Sequence, residues 1–209
     1  MSGPPSHYFD RTPSVPSDER TVTLSLPDVD LTLTSDRGMF SPDRVDAGTR
    51  LLLQESPHPT PAMTDVLDLG CGYGPIAITL ARRSPSTRIW AVDVNERAVE
   101  LCRRNAEANG ADNVTAVLVD EHGAALDGST LPKSFDGIWS NPSIRIGKAA
   151  LHSMLEHWLS MLAPGAHAWL VVQKHLGADS LAKWLGAQGN ETARLLSRAG
   201  YRILEVSAR

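Results

Sequence analysis

The chain is poor in several things, and each shortage closes off a class of protein. Cysteine occurs twice in 209 residues, at Cys71 and Cys102, and neither stands in a Cys-x-x-Cys or other metal-ligand spacing. Those counts exclude a disulfide-stapled domain and a zinc module. Positive charge is not in excess: 20 Lys and Arg against 24 Asp and Glu give a formal net charge of −4, so no global basic field announces a nucleic-acid partner. Long apolar runs are missing too. The opening "MSGPPSHYFDRTPSVPSDER" contains no signal-peptide core, and no later stretch approaches a membrane span. A reduced, cytoplasmic location is the plain expectation, with no membrane partner. No internal repeat is present.

What remains is a chain long enough to bury one generous core. Residues 1–20 read as an irregular, proline-rich leader, and residues 21–209 as a single domain. Within it, "TVTLSL" and "VDLTLT" alternate apolar and polar about Pro27-Asp28, which predicts a hairpin, and residues 43–54 predict a short helix. From residue 65 onward strand-like runs ("VLDL", "IWAVD", "TAVLVD", "FDGIW", "AWLVV") alternate with helical periods ("PIAITLARR", "ERAVELCRRNAEAN", "KAALHSMLEHWLSML"). That alternation predicts an α/β core with a mostly parallel sheet covered on both faces. The stripe Leu151, Met154, Leu155, Trp158, Leu159, Leu162 reads as core. The tail predicts a closing hairpin about Ala199-Gly200. Arg82/Arg83 and Arg103/Arg104 read as decoration of exposed helix faces.

The chemistry begins at the first core strand. "VLDLGCGYGPIAI" places Asp68, Gly70, Gly72 and Gly74 in a D-x-G-x-G-x-G turn between strand and helix. Glycines there permit positive φ and let the backbone lie flat against a ligand. A dinucleotide fingerprint needs Gly or Ala where this chain has Pro75, and no phosphate loop is present, so a nucleoside-like cofactor is the better match. Asp93, at the end of the second core strand, suits the hydroxyls of a ribose. Its bland alternative, capping the next helix, is open to Asn95 as well. Asp120 ends the third core strand. Ligands of open α/β sheets bind at the carboxyl edge of the strands, so Asp68, Asp93, Asp120 and Asn141 converge on one crevice. Cys71 reads as a small loop residue and Cys102 as core. His152 and His157, five residues apart, do not share a helix face, and no metal is expected.

The stretch "WSNPSIRIGK" raises the remaining question: why a buried strand ends in Ser140, Asn141, Pro142. Together with "TSDRGMFSPDRVDAGTRLLL" and "AVDVNERAVELCRRNA", these motifs resemble the class I S-adenosylmethionine (SAM) methyltransferases, and more narrowly the methyltransferase small domain of RsmC-type ribosomal RNA guanine-N2 methyltransferases. The resemblance covers roughly residues 20–209. It implies a Rossmann-like, seven-stranded sheet whose last strand is antiparallel. It also implies SAM over Gly70, Cys71, Gly72 and Gly74, with the ribose on Asp93 beside Val94 and the adenine near Asp120. Asn141, Pro142, Ser143 and Ile144 would face the acceptor, with Arg37 and Phe40 closing the pocket. Two departures stand out: Ser143 replaces the second proline of the family's Asn-Pro-Pro pattern, and the additional domain of larger relatives has no counterpart ahead of this one.

An exocyclic guanine nitrogen shares its lone pair with the ring. Two fixed acceptors, the Asn141 side-chain oxygen and a backbone carbonyl near Pro142, would hold its hydrogens and aim that lone pair. Arg145, Lys148 and Lys174 against Glu156 alone form a modestly basic rim for RNA or a ribosomal subunit. Two other readings stand beside this one: methylation of a protein glutamine amide, and a SAM-binding module without catalysis.

Overall fold

The computed structural model describes residues 15–209; the expected leader lies mostly outside them. A hairpin of β1 (Arg20–Ser25) and β2 (Asp30–Ser35) leads into α1 (Ala47–Glu55). The core then runs β3 (Asp65–Leu69), α2 (Pro75–Arg83), β4 (Arg88–Asp93), α3 (Glu96–Ala108), β5 (Val114–Leu118) and β6 (Phe135–Ser140). It continues through α4 (Lys148–Leu159), β7 (Leu162–Gln173), α5 (Ala178–Ala187), β8 (Thr192–Arg198) and β9 (Tyr201–Ser207). The seven core strands lie in the order β5-β4-β3-β6-β7-β9-β8. Pairs from β5 to β7 are parallel, and β9 runs antiparallel to both neighbours. The last strand is therefore reversed, in an α/β methyltransferase-like sheet.

Side chains alternate across the sheet, as the period of two requires. One face sends Val66, Ile89, Ala91, Trp139, Trp169 and Ile203 against the hairpin, α1, α2 and α3. The other sends Leu67, Val92, Ile138, Leu170 and Leu204 against α4 and α5. The hairpin is fastened along its free edge. Asn109, which caps the end of α3, accepts from Thr32 N and donates to its carbonyl, and Asn105, one turn earlier, does the same with Thr34. Those four bonds satisfy edge groups that would otherwise offer a template to another strand.

Several boundaries differ from the sequence reading, each for a local reason. The helix expected from residue 43 begins at Ala47, because the Asp46 side chain accepts from the N–H groups of Gly48 and Thr49 and so forms its cap. The helix expected to reach Leu162 stops at Leu159, and Leu162 opens β7, paired with Phe135. α5 was not expected; its apolar stripe is only Ala178, Leu181 and Leu185, flanked by glycines. Arg83 is not surface decoration. Its side chain is 5% exposed and forks onto Asp28 at 2.7 and 2.9 Å while donating to the Leu53 carbonyl, tying the hairpin turn to α1 and α2. No helix among the described residues is long and apolar enough to cross a membrane.

Candidate active site

β3 ends at Leu69 and the chain turns at once over the carboxyl edge of the sheet. Gly70 and Cys71 both donate to the Val92 carbonyl, at 2.9 and 3.0 Å, which docks the loop on the end of β4. Gly70 has φ +77°, and a Cβ built there would meet nothing within 4 Å, so its face is open. Gly74, at φ +95°, is glycine for packing: a Cβ would lie 2.9 Å from Cys102 Sγ and 3.0 Å from Ile78. The two glycines therefore serve different purposes, one facing a ligand space and one admitting α3.

The three carboxylates of this edge sit in three environments. Asp93 is buried; one oxygen accepts from Gly72 N at 3.0 Å and the other from Asn95 N at 3.0 Å, while Asn95 caps α3 through Arg97 and Ala98. Asp68 lies beneath the loop and does not reach the cavity wall. One of its oxygens accepts from Ala77 N at 2.9 Å and the other, fully buried, has no partner among the described residues. Burial, reinforced by the charge of Asp93, pushes its pKa up to about 8. Asp120 lies beyond the end of β5 and accepts from His122 and Ala124 backbone N–H groups, which hold its carboxyl below the usual range.

The second half of the site lies over β6, β7 and β9. Asn141 follows β6 directly, and its amide nitrogen donates to Asp46 Oδ2 and to Thr49 Oγ1, both at 3.0 Å. Asp46 is shared further, accepting from Gly48 and Thr49 backbone and from the Tyr201 hydroxyl at 3.3 Å. Tyr201 reaches it because β9 is antiparallel: its first residue pairs with Gln173, the last residue of β7, at the carboxyl edge. Pro142 is buried, and Ser143 has φ −72° and ψ 114°.

One cavity of about 720 Å³ joins the two halves, within the range of about 300–1,000 Å³ usual for small-molecule sites. Gly70, Cys71, Gly72, Asp93, Val94 and Asp120 line one end, and Phe40, Asn141, Pro142, Ser143 and Ile144 the other. Arg37, Asp68, Gly74 and Lys148 do not line it; Arg145 sits in the short 3-10 turn Ile144–Ile146. Residues without a sequence signal join the wall: Asp46, Thr49, Gln173 and Tyr201, with Leu126 and Leu176, both exposed, as is Phe40. Met154 and Trp158, read as core, also reach it. Cys71 lies on the wall but is buried, and its neighbour Cys102 together with that burial pushes its thiol pKa up, away from nucleophilic use. The apolar walls, the open face of Gly70 and the carboxylates at the ends of β4 and β5 fit a nucleoside carrying a positive charge.

Comparison with known proteins agrees with that geometry. The family model described as "Methyltransferase small domain" matches residues 30–205. YbxB of Bacillus subtilis (strain 168), described as uncharacterised, is 38% identical over 200 residues, covering 96% of this chain and 97% of that protein. Ribosomal RNA small subunit methyltransferase C of Shewanella amazonensis is 32% identical over 168 residues, covering 78% of this chain and 46% of that protein. The chain thus spans about half the length of that ribosomal RNA methyltransferase and nearly all of YbxB. The solved structure of the T. thermophilus 16S rRNA N2 G1207 methyltransferase (RsmC) in complex with AdoMet and guanosine superposes with a TM-score of 0.72 at 25% identity. It covers 94% of this chain and 52% of that one.

Proposed function

From its membership of the methyltransferase small domain family, which makes the chain a SAM-dependent methyltransferase of the RsmC type, we propose that it methylates the exocyclic N2 of a guanine in small-subunit ribosomal RNA. SAM, when bound, supplies a methyl group on a positively charged sulfur. Gly70, Gly72, Asp93, Val94 and Asp120 are the residues that would hold it. The protein's own task is to present a weak nucleophile correctly, since a planar amino nitrogen attacks only along its out-of-plane lone pair. Positioning of that kind is worth several orders of magnitude in rate without any nucleophile on the enzyme.

The observation that carries this reading is the state of Asn141. Both amide hydrogens are spent on Asp46 and Thr49, and Oδ1 has no partner among the described residues, in the wall of the cavity. An acceptor fixed in this way suits an N–H donor. Ser143 keeps the pattern intact in one respect: φ −72° lies inside the proline range of about −65 ± 15°. The backbone therefore adopts the course that a second proline would impose, which speaks against a silent site.

An RNA acceptor is supported by the rim. Lys148 and Lys174 are exposed next to wall residues Ile146 and Gln173, and Phe40 and Leu176 are 45% and 48% exposed at the mouth. Cations for phosphates beside apolar faces for an unstacked base are what recognition of a single-stranded nucleotide requires. The test uses methyl-labelled SAM with small ribosomal subunits lacking the modification. Label recovered in N2-methylguanosine is the expected result; label in glutamine of a protein would overturn the RNA assignment, and bound SAM without transfer would overturn both.

A further inference from the structure

We infer that Asp46 and Thr49 are positioning residues that lock the Asn141 amide in a single orientation, with Tyr201 holding Asp46 in place. The inference rests on the methyl-transfer reading for its consequence, but not for its geometry. An asparagine amide has a donor end and an acceptor end of nearly equal size, and a half-turn about the last side-chain bond exchanges them. At Asn141 the two orientations have opposite effects on a substrate that donates N–H hydrogens: Oδ1 attracts them, whereas the NH2 group repels them.

The surroundings decide between them. Asp46 Oδ2 and Thr49 Oγ1, each 3.0 Å from Asn141 Nδ2, present two acceptors. Thr49 can reverse its hydroxyl, but the Asp46 carboxylate cannot donate, so the flipped amide would set oxygen against oxygen. Asp46 is itself immobilised by the Gly48 and Thr49 backbone and by the Tyr201 hydroxyl. Gly48 makes that last contact possible. A Cβ there would lie 2.6 Å from the Tyr201 ring, so the first turn of α1 must be bare for the tyrosine to reach across it. Four elements thus converge on one amide: the cap of α1, its first turn, the end of β6 and the start of β9.

The test compares Asp46→Ser, Thr49→Val and Thr49→Ser with the wild-type chain. The Asp46 oxygen that caps α1 is also the one that accepts from Asn141, so the variant must keep the cap with a shorter group: serine is a good helix cap, and its hydroxyl, one bond shorter than the carboxylate, withdraws from Asn141 and from Tyr201. The first readout is hydrogen exchange of the Asn141 side-chain NH2 by nitrogen-15 NMR, assigned by its disappearance in Asn141→Ala and measured with no substrate present. We expect slow exchange in the wild type and in Thr49→Ser, and exchange at least about 10-fold faster in Asp46→Ser and Thr49→Val, as the loss of one buried hydrogen bond allows. The second readout is transfer. kcat should fall about 10- to 100-fold in Asp46→Ser and Thr49→Val with the SAM dissociation constant unchanged, and Thr49→Ser should restore most of it. Equal exchange rates in all four proteins, or an unchanged kcat in Thr49→Val, overturns the inference. Slow wild-type exchange with no transfer to RNA would instead sink the RNA assignment and leave the lock supported.

Discussion

The two ends of the cavity are built in opposite ways. At the glycine-loop end, where we place SAM, the carboxylates serve the backbone: Asp93 holds Gly72 and Asn95, Asp68 holds Ala77, and Asp120 holds its own turn. These contacts span at most 21 residues of sequence and shape a loop whose exposed surface is mainly peptide. At the end we assign to the acceptor, side chains hold side chains: Asp46 meets Asn141 across 95 residues and Tyr201 across 155. A backbone cradle tolerates changes in its neighbours but not in its conformation. A side-chain network is the reverse, since each member can be deleted without altering the chain path, and each deletion removes a specific chemical function.

That contrast is broken most severely at Asn141. Asn141→Ala should lower kcat by about 10³-fold, the upper range for losing a preorganised polar contact to the reacting group, while SAM affinity stays within about threefold. Single-turnover transfer paired with calorimetric SAM titration measures both. If turnover survives, the acceptor end is not a clamp and the difference between the ends loses its meaning.

The next effect belongs to the SAM end and appears in stability. Asp68 has its pKa raised to about 8 from an ordinary value of 3.8, so the folded state binds a proton that the unfolded state has released. The sign follows from that: the stabilisation is complete below the unfolded pKa and is lost as pH rises towards about 8. Without SAM, the wild-type melting temperature should fall between pH 5 and 8 more steeply than that of Asp68→Asn. The variant retains an acceptor for Ala77 and has no proton to lose. Parallel curves would mean that the buried carboxylate is already ionised.

Asp93→Ala comes third. It removes the acceptor of Gly72 N along with the contact proposed for the ribose, and SAM affinity should fall by about 10- to 100-fold, the equivalent of roughly 1.4–2.7 kcal/mol. Unchanged affinity would show that the loop holds its shape without its carboxylate.

The same contrast explains what could be read from the sequence. The glycine loop was legible because its parts lie within seven consecutive residues, and the mostly parallel sheet followed from strand–helix alternation, its reversed last strand being implied by the family resemblance. Asn141 was legible through the proline behind it. Asp46, Thr49 and Tyr201 were not, because nothing local marks them: Asp46 looks like any helix cap, and Tyr201 acquires its place only when β9 returns antiparallel to β7. Asp68 was placed at the cofactor by its motif, yet its strand register turns it under the loop instead. α5 escaped notice since three apolar positions between glycines make a weak period. Helical periodicity can identify a face only when enough of the face is apolar.

The smallest expected effect lies where the acceptor end does depend on backbone. Ser143 departs from Asn-Pro-Pro, but its φ of −72° is already that of proline, and its N–H donates to nothing among the described residues. Ser143→Pro therefore removes freedom from the unfolded chain without demanding a new conformation. It should raise stability by about 0.4–1 kcal/mol and change kcat by no more than about threefold, because Asn141 remains held by Asp46 and Thr49 from the other side. A denaturant midpoint together with a single-turnover rate measures the pair. A large gain in rate would mean that the backbone behind Asn141, rather than the network in front of it, limits the aim of the amide, and the two ends of the cavity would then be built alike.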